Sequence, residues 1–257
     1  MAEVVHTDEV EPRSVDGAEI RVTLDAHNGS ERLRQSVIRI APGRSYSESP
    51  PATEQTVLYV ETGRGSLIVG GTTHPLEPDT GAFIAANEHF RIEGDGSDDL
   101  VLVAVHTPTD EDAERAYAER KAIVRFAEQP ELEASAERRF RYLVNEETGC
   151  FDVTQFVGIV QPSKAPFHSH PYDEVGYIID GEGIAHMNGE QKPLRRASCF
   201  HLAPGEVHCI ENVGPGPMRI LGVFHPSGSP ASRTYQDNNA ATAASNRAKQ
   251  PSEEENV

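Results

Sequence analysis

The sequence predicts an all-β protein of two tandem β-barrels, joined by a short helical linker and followed by a disordered C-terminal tail. Three observations lead there: an internal repeat, short β-rich runs cut by glycine turns in each copy, and helical periodicity confined to the stretch between the copies. The repeat sets the unit. Gly63-Arg64-Gly65 aligns with Gly181-Glu182-Gly183 at an offset of 118 positions (181 minus 63). Without a gap, that offset also pairs Tyr59 with Tyr177, Gly71 with Gly189, Pro75-Leu76 with Pro193-Leu194, Glu88 with Glu206, Ile92-Glu93 with Ile210-Glu211 and Pro108 with Pro226. Upstream the offset becomes 120, pairing Gln35 with Gln155, Val37 with Val157 and Pro42 with Pro162, as a two-residue insertion before the first Gly-x-Gly requires. So many fixed matches read as a duplicated domain.

Within each copy the elements read as strands. VLYVETGRGSLIVGG (57–71) and VGYIIDGEGIAHMNG (175–189) are β-rich runs broken by glycine turns, the signature of hairpins. LVLVAVHTP (100–108) and MRILGVFHP (218–226) are closing strands ended by proline. Between the copies, TDEDAERAYAERKAIVRFAEQPELEASAERRF opens on acidic residues and places apolar ones at helical spacings, so a linking helix is expected near residues 110–127. Beyond Pro226 the chain is polar and poor in aromatics, which predicts disorder. The expected division is therefore an N-terminal barrel over 1–108, a helical linker over 109–140, a C-terminal barrel over 141–228 and a disordered tail over 229–257.

Composition narrows the function classes. The 257 residues carry 41 acidic and 23 basic side chains, a formal charge of -18, which argues against a nucleic-acid or anionic-membrane partner. No apolar run approaches the length of a membrane-spanning helix. The acidic start MAEVVHTDEVEPRS lacks a signal pattern, and three cysteines without C-x-x-C spacing suit a reducing compartment, so a cytoplasmic location is expected. No G-x-S-x-G, P-loop or dinucleotide fingerprint is present.

The chemistry gathers in the second copy. In FHSHPYDEVGYIIDGEG, His168, His170 and Glu174 share parity, so an undistorted strand would project all three to one face. Two imidazoles and a carboxylate aimed into a barrel are costly unless something pairs with them, and a divalent cation does. APGEVHCIEN supplies a fourth candidate, His208, after the Pro204-Gly205 turn. The pattern H-x-H-x-x-x-E-x6-G followed by P-G-x-x-H-x-x-x-N resembles the two signature motifs of the cupin superfamily of jelly-roll barrels, through His168, His170, Glu174 and Gly181 and then Gly205, His208 and Asn212. With the duplication, residues 30–228 look like a bicupin. Departures fall at turn positions: Pro162, Ala197 and Ala203 stand where the family has glycine, glycine and proline.

The resemblance implies that His168, His170, Glu174 and His208 ligate one divalent transition metal. Fe, Mn, Ni, Co, Cu and Zn all suit three imidazoles and a carboxylate. Glu174 is also the candidate base, since a carboxylate that partly detaches from an ion can accept a proton. Applied to the first copy, the offset of 118 sets Pro50, Ala52, Thr56 and Phe90 opposite the four ligands, so that barrel is expected to hold no metal. His89 is one residue off the pattern. His186 and His201 are packed residues or supports for a ligand; Cys209 reads as a small core residue; Arg219 is a pocket cation or a solvated strand residue.

By analogy with the family, the first expectation is a dioxygenase-type oxidoreductase acting on a small chelating enol, phenol or acid. The alternatives are a non-oxidative isomerase, decarboxylase or aminohydrolase, and a binding or sensing module without turnover. Barrels with exposed sheet edges commonly pair, so a homodimer is among the expected states.

Overall fold

The computed structural model describes residues 3–109 and 120–235. The first copy contributes β1 (Val4–His6), β2 (Arg13–Val15), β3 (Ala18–Leu24), β4 (Arg34–Ile40), β5 (Ser45–Glu48), β6 (Glu54–Thr62), β7 (Gly65–Val69), β8 (Thr72–Leu76), β9 (Thr80–Ile84), β10 (Phe90–Gly94) and β11 (Leu100–Pro108). The second contributes β12 (Ile123–Arg125), β13 (Leu132–Ser135), β14 (Arg138–Val144), β15 (Thr154–Val160), β16 (Ser163–Lys164), β17 (His168–Ser169), β18 (Asp173–Asp180), β19 (Gly183–Met187), β20 (Glu190–Leu194), β21 (Ser198–Leu202), β22 (His208–Asn212) and β23 (Met218–His225), with β24 (Thr234–Tyr235) beyond it.

Each copy is a jelly roll of two antiparallel sheets. In the first, the large sheet runs β12-β9-β6-β11-β4-β3-β2 and the small one β5-β10-β7-β8. In the second, the large sheet runs β1-β21-β18-β23-β15-β14-β13, and the small one β20-β19-β22-β17-β24 with β16 also on β22. The first strand of each copy therefore completes the large sheet of the other: Val4 pairs with Phe200, and Ile123 pairs with Ala82.

Strand alternation gives each large sheet two apolar faces. Leu100, Leu102 and Ala104 on β11 fill the first barrel, whereas Val101, Val103 and Val105 join Val175, Tyr177, Leu221 and Val223 of the second copy in one cluster between the barrels. Continuous hydrophobic strands such as VLVAV need this double burial. The repeated Gly-x-Gly has a steric cause. Gly63 and Gly181 turn with φ of +84° and +93°, and a Cβ on Gly65 or Gly183 would stand 2.2 or 2.5 Å from the carbonyl oxygen of Glu93 or Glu211.

Two expectations are corrected here. Part of the helix expected near 110–127 lies outside the described residues, but Ile123–Arg125 is a strand and Phe126–Glu128 a single 3-10 turn. Pairing to the free edge of β9, with Val124 buried, overrides a helical propensity that no packed face supports. Strands β13 and β14 likewise occupy the stretch expected as linker. Of the tail expected to be disordered, residues 229–235 are ordered against the second barrel, and Thr234–Tyr235 pairs with His168–Ser169. Residues 236–257 lie outside the described residues.

Candidate metal centre

The second barrel brings His168, His170 and His208 together at one end. One ring nitrogen from each lies within 4.8 Å of the others, and all three side chains are buried. Pairing explains two of them: His168 on β17 is directly opposite His208 on β22. The third arrives differently from the alternation expected. β17 ends at Ser169, Pro171 cannot extend its ladder, and the chain crosses to the large sheet before β18 begins. His170 sits at that crossing, where its carbonyl accepts from the Gly205 N–H at 2.7 Å, tying it to the loop that leads into His208. Glu174, on β18 between Leu202 and Phe224, projects from the opposite sheet. Its Oε2 lies 3.8 Å from Nε2 of His170, beside the imidazoles rather than among them.

All three imidazoles are oriented by backbone carbonyls. Nδ1–H donates to Pro166 O (3.0 Å) in His168, to Ser232 O (3.0 Å) in His170 and to Glu206 O (2.9 Å) in His208. A carbonyl only accepts, so Nδ1 carries the proton in each ring and Nε2 keeps its lone pair. Burial pushes His170 and His208 down to about 4, and burial and then the His208 charge push His168 down to about 2. The rings are neutral at physiological pH. Burial raises Glu174 to about 8, against the pull of Arg233 and Arg138. Three neutral imidazoles with free, converging Nε2 atoms and a carboxylate alongside fit a divalent transition ion, and the outer hydrogen bonds are those that fix such ligands.

The site opens on a cavity of about 70 Å³ lined by the triad, Glu174, Phe156, Phe224, Arg138 and Arg233. Neither arginine was singled out from the sequence. Arg138 falls in the stretch read as linker and Arg233 in the stretch read as disordered. The repeat held one signal, because Arg138 on β14 stands 120 positions after Ala18, an apolar residue filling the first barrel. Asn212 of the second motif serves the fold: its amide donates to Val160 O and Gly216 O. His201 pairs with Asp173 and His186 with Glu211, each apart from the triad. Cys209 is buried and donates to Ala165 O, and Arg219 bridges to Asp79 of the first copy.

Register also corrects the first-barrel counterpart of His168. Phe90 lies opposite Glu48 on β5, as His208 lies opposite His168, so the counterpart is Glu48 and not Pro50. The offset of 120 persists through this strand, because cross-strand pairing holds the register and the two extra residues fall in the loop after it. Thr56 faces His106 across β6 and β11, as Glu174 faces Phe224. His106 bonds Thr56 at 3.0 Å, and Glu48 accepts from Tyr46 at 2.6 Å.

The chain is thus a duplicated jelly roll with an imidazole triad in one barrel, and the comparisons agree on the fold. Residues 156–224 match the Cupin domain family, which assigns the second barrel to the cupin superfamily. An oxalate-binding protein of Thermotoga maritima is 36% identical over 63 residues, covering 24% of this chain and 52% of that protein. A tetracenomycin polyketide synthase protein of Streptomyces glaucescens is 35% identical over 60 residues, covering 23% and 40%. The chain thus spans about half the length, or less, of these curated relatives. Across the whole chain, a mutant of Bacillus subtilis oxalate decarboxylase superposes with a TM-score of 0.73 at 12% identity, covering 94% of this chain and 83% of that one. That likeness is one of fold.

Proposed function

We propose that the second barrel binds one divalent transition ion through His168, His170, His208 and Glu174, and that the protein is a dioxygenase-type oxidoreductase acting on a small acid. The observation that carries this reading is the set of three Nε2 lone pairs converging on a cavity that also contains Arg138. The accessible space of about 70 Å³ beside the imidazoles suits the smaller ligands of this kind. Of the chelating enols, phenols and acids that such a donor set accommodates, the small acids fit.

A bound ion supplies Lewis acidity and, when redox-active, electrons for dioxygen chemistry. The chain's own residues do the rest. The backbone carbonyls of Pro166, Glu206 and Ser232 hold the imidazoles in one tautomer, so no reorganisation is needed to present Nε2. Phe156 and Phe224 exclude water on one side. Glu174 holds a proton near neutral pH in the metal-free chain; its carboxylate, once ionised, can accept one from a substrate hydroxyl.

A second reading, metal-dependent decarboxylation without net oxidation, is favoured by the size of the cavity and by the oxalate-binding relative. Elemental analysis of the purified protein, with oxygen uptake measured against a panel of small hydroxy, keto and dicarboxylic acids, separates the two. The expected result is one metal per chain, lost in His208→Ala together with turnover. Oxygen consumption that survives His208→Ala overturns the oxygenase reading, and carbon dioxide release without oxygen uptake selects the second.

A further inference from the structure

The arginines in the cavity differ in origin. Arg138 belongs to the barrel wall: it is 8% exposed, and one terminal nitrogen donates to Ile210 O. Arg233 belongs to the segment that follows the last barrel strand. Its Nε donates to Pro230 O at 3.0 Å, which leaves the terminal nitrogens for the cavity. Among the described residues, neither guanidinium has a carboxylate within ion-pairing distance. Two cations lining one pocket beside the Glu174 carboxyl, neither in an ion pair, favour the entry of an anion.

The segment is held by polar contacts. Thr154 bonds Gly228 O at 3.0 Å, Tyr172 donates to Ser229 O at 2.8 Å, and Tyr142 donates to Ser229 Oγ at 3.2 Å. The same segment supplies the Ser232 carbonyl that orients His170. The part of the chain that completes one ligand's hydrogen bonding therefore also carries a cation to the cavity.

We propose that residues 229–235 form a strap that delivers Arg233 as a specificity-determining residue, recognising a carboxylate of the substrate together with Arg138. This rests on the small-acid reading above. The planar fork of a guanidinium matches a carboxylate in two parallel hydrogen bonds. With Arg138 buried in the wall and Arg233 half-buried on the strap, a small dianionic acid finds two cations lining the pocket, and an uncharged isostere leaves both without a charged partner.

Calorimetric titration of the full chain with oxalate and with its neutral isostere oxamide, in metal-free and Mn(II)-loaded forms, tests this. Wild type is expected to bind oxalate in preference to oxamide. Arg233→Gln should weaken oxalate by about tenfold or more and leave oxamide unchanged, with metal content and unfolding midpoint as in wild type. Arg233→Lys, which keeps the charge without the fork, should fall between them. Equal oxalate affinity in wild type and Arg233→Gln overturns the proposal, as does a wild type that binds no oxalate in either form. If Arg233→Gln also frees the strap, seen as lost amide protection at 232–235, Arg233→Lys decides, and an affinity no better than that of Arg233→Gln overturns charge recognition. The metal centre fails separately: a wild type that takes up no metal refutes it, while the oxalate comparison in metal-free protein still reads Arg233.

Discussion

His106, in the first barrel, shows what stands at the position that corresponds to the second barrel's site. It replaces Phe224, bonds Thr56 in the place of Glu174, and lies 3.8 Å from Glu48 in the place of His168. Burial, and then the Arg34 guanidinium, pushes it from 6.5 down to about 3. Between those values the unfolded chain holds a proton that the folded chain refuses. The histidine therefore favours folding fully only above its unfolded value, and that contribution is lost as the pH falls toward its folded one. Its slope is about 1.4 kcal/mol per pH unit. His106→Phe, which copies the second barrel, should flatten the acid side of the unfolding free energy by that amount; denaturant titrations between about pH 6 and pH 4 measure it, and an unchanged slope rules out the burial account. At this scale the imidazole triad was legible, because its spacing is a motif. The arginines were not, since a lone arginine in a polar stretch has no period or spacing that marks it as facing a cavity.

Among the elements, the second barrel departs most from sequence logic at β17, which has two residues where a through-running strand was expected. Its outer edge is taken by β24, from a segment whose composition reads as disorder. Composition reports how little apolar surface a segment can bury, and this one is held instead by hydrogen bonds to Thr154, Tyr172 and His170. Gly228 is its closest approach: an added Cβ would stand 2.2 Å from the Tyr172 ring, itself stacked on Phe224 at 4.3 Å and on His170 at 5.0 Å. Gly228→Val must therefore lift the segment or move the ring. The expected outcome is faster amide exchange over 229–235 and a loss of metal affinity of about tenfold, the scale for removing an outer-shell partner. Faster exchange over 229–235 with unaltered metal affinity would show that the segment plays no part in orienting His170. The glycine turns of the hairpins, by contrast, were legible in both copies, because a left-handed turn and a close backbone approach leave few other residues to choose from.

For the whole molecule, the repeat fixed the architecture but not how the copies meet. Continuous apolar strands announce a second buried face without saying what covers it; here each large sheet covers the other. The seam carries paired polar contacts. Tyr177 donates to Glu61 at 2.8 Å and Arg196 reaches the same carboxylate, while Tyr59 and Arg219 converge on Asp79. With strands exchanged and a shared core, the barrels should unfold in one calorimetric transition whose enthalpy equals the van't Hoff value. Glu61→Ala, which leaves the Tyr177 hydroxyl without its acceptor, should lower that single transition by about 1–3 kcal/mol. Two separate transitions, or a loss confined to one barrel, would contradict this coupling.

The exchange of β1 and β12 bears on what the first barrel is for. Cut between β11 and β12, neither piece keeps the edge strand of its own large sheet, and each exposes β9 or β21 as a bare template for another chain. In two unfused copies of one barrel, the same arrangement would be a swapped, two-fold dimer. Fusion makes the partner permanent. The first barrel, with His106, Thr56 and Phe90 at the positions corresponding to Phe224, Glu174 and His208, supplies the strand and the apolar wall on which the second barrel closes.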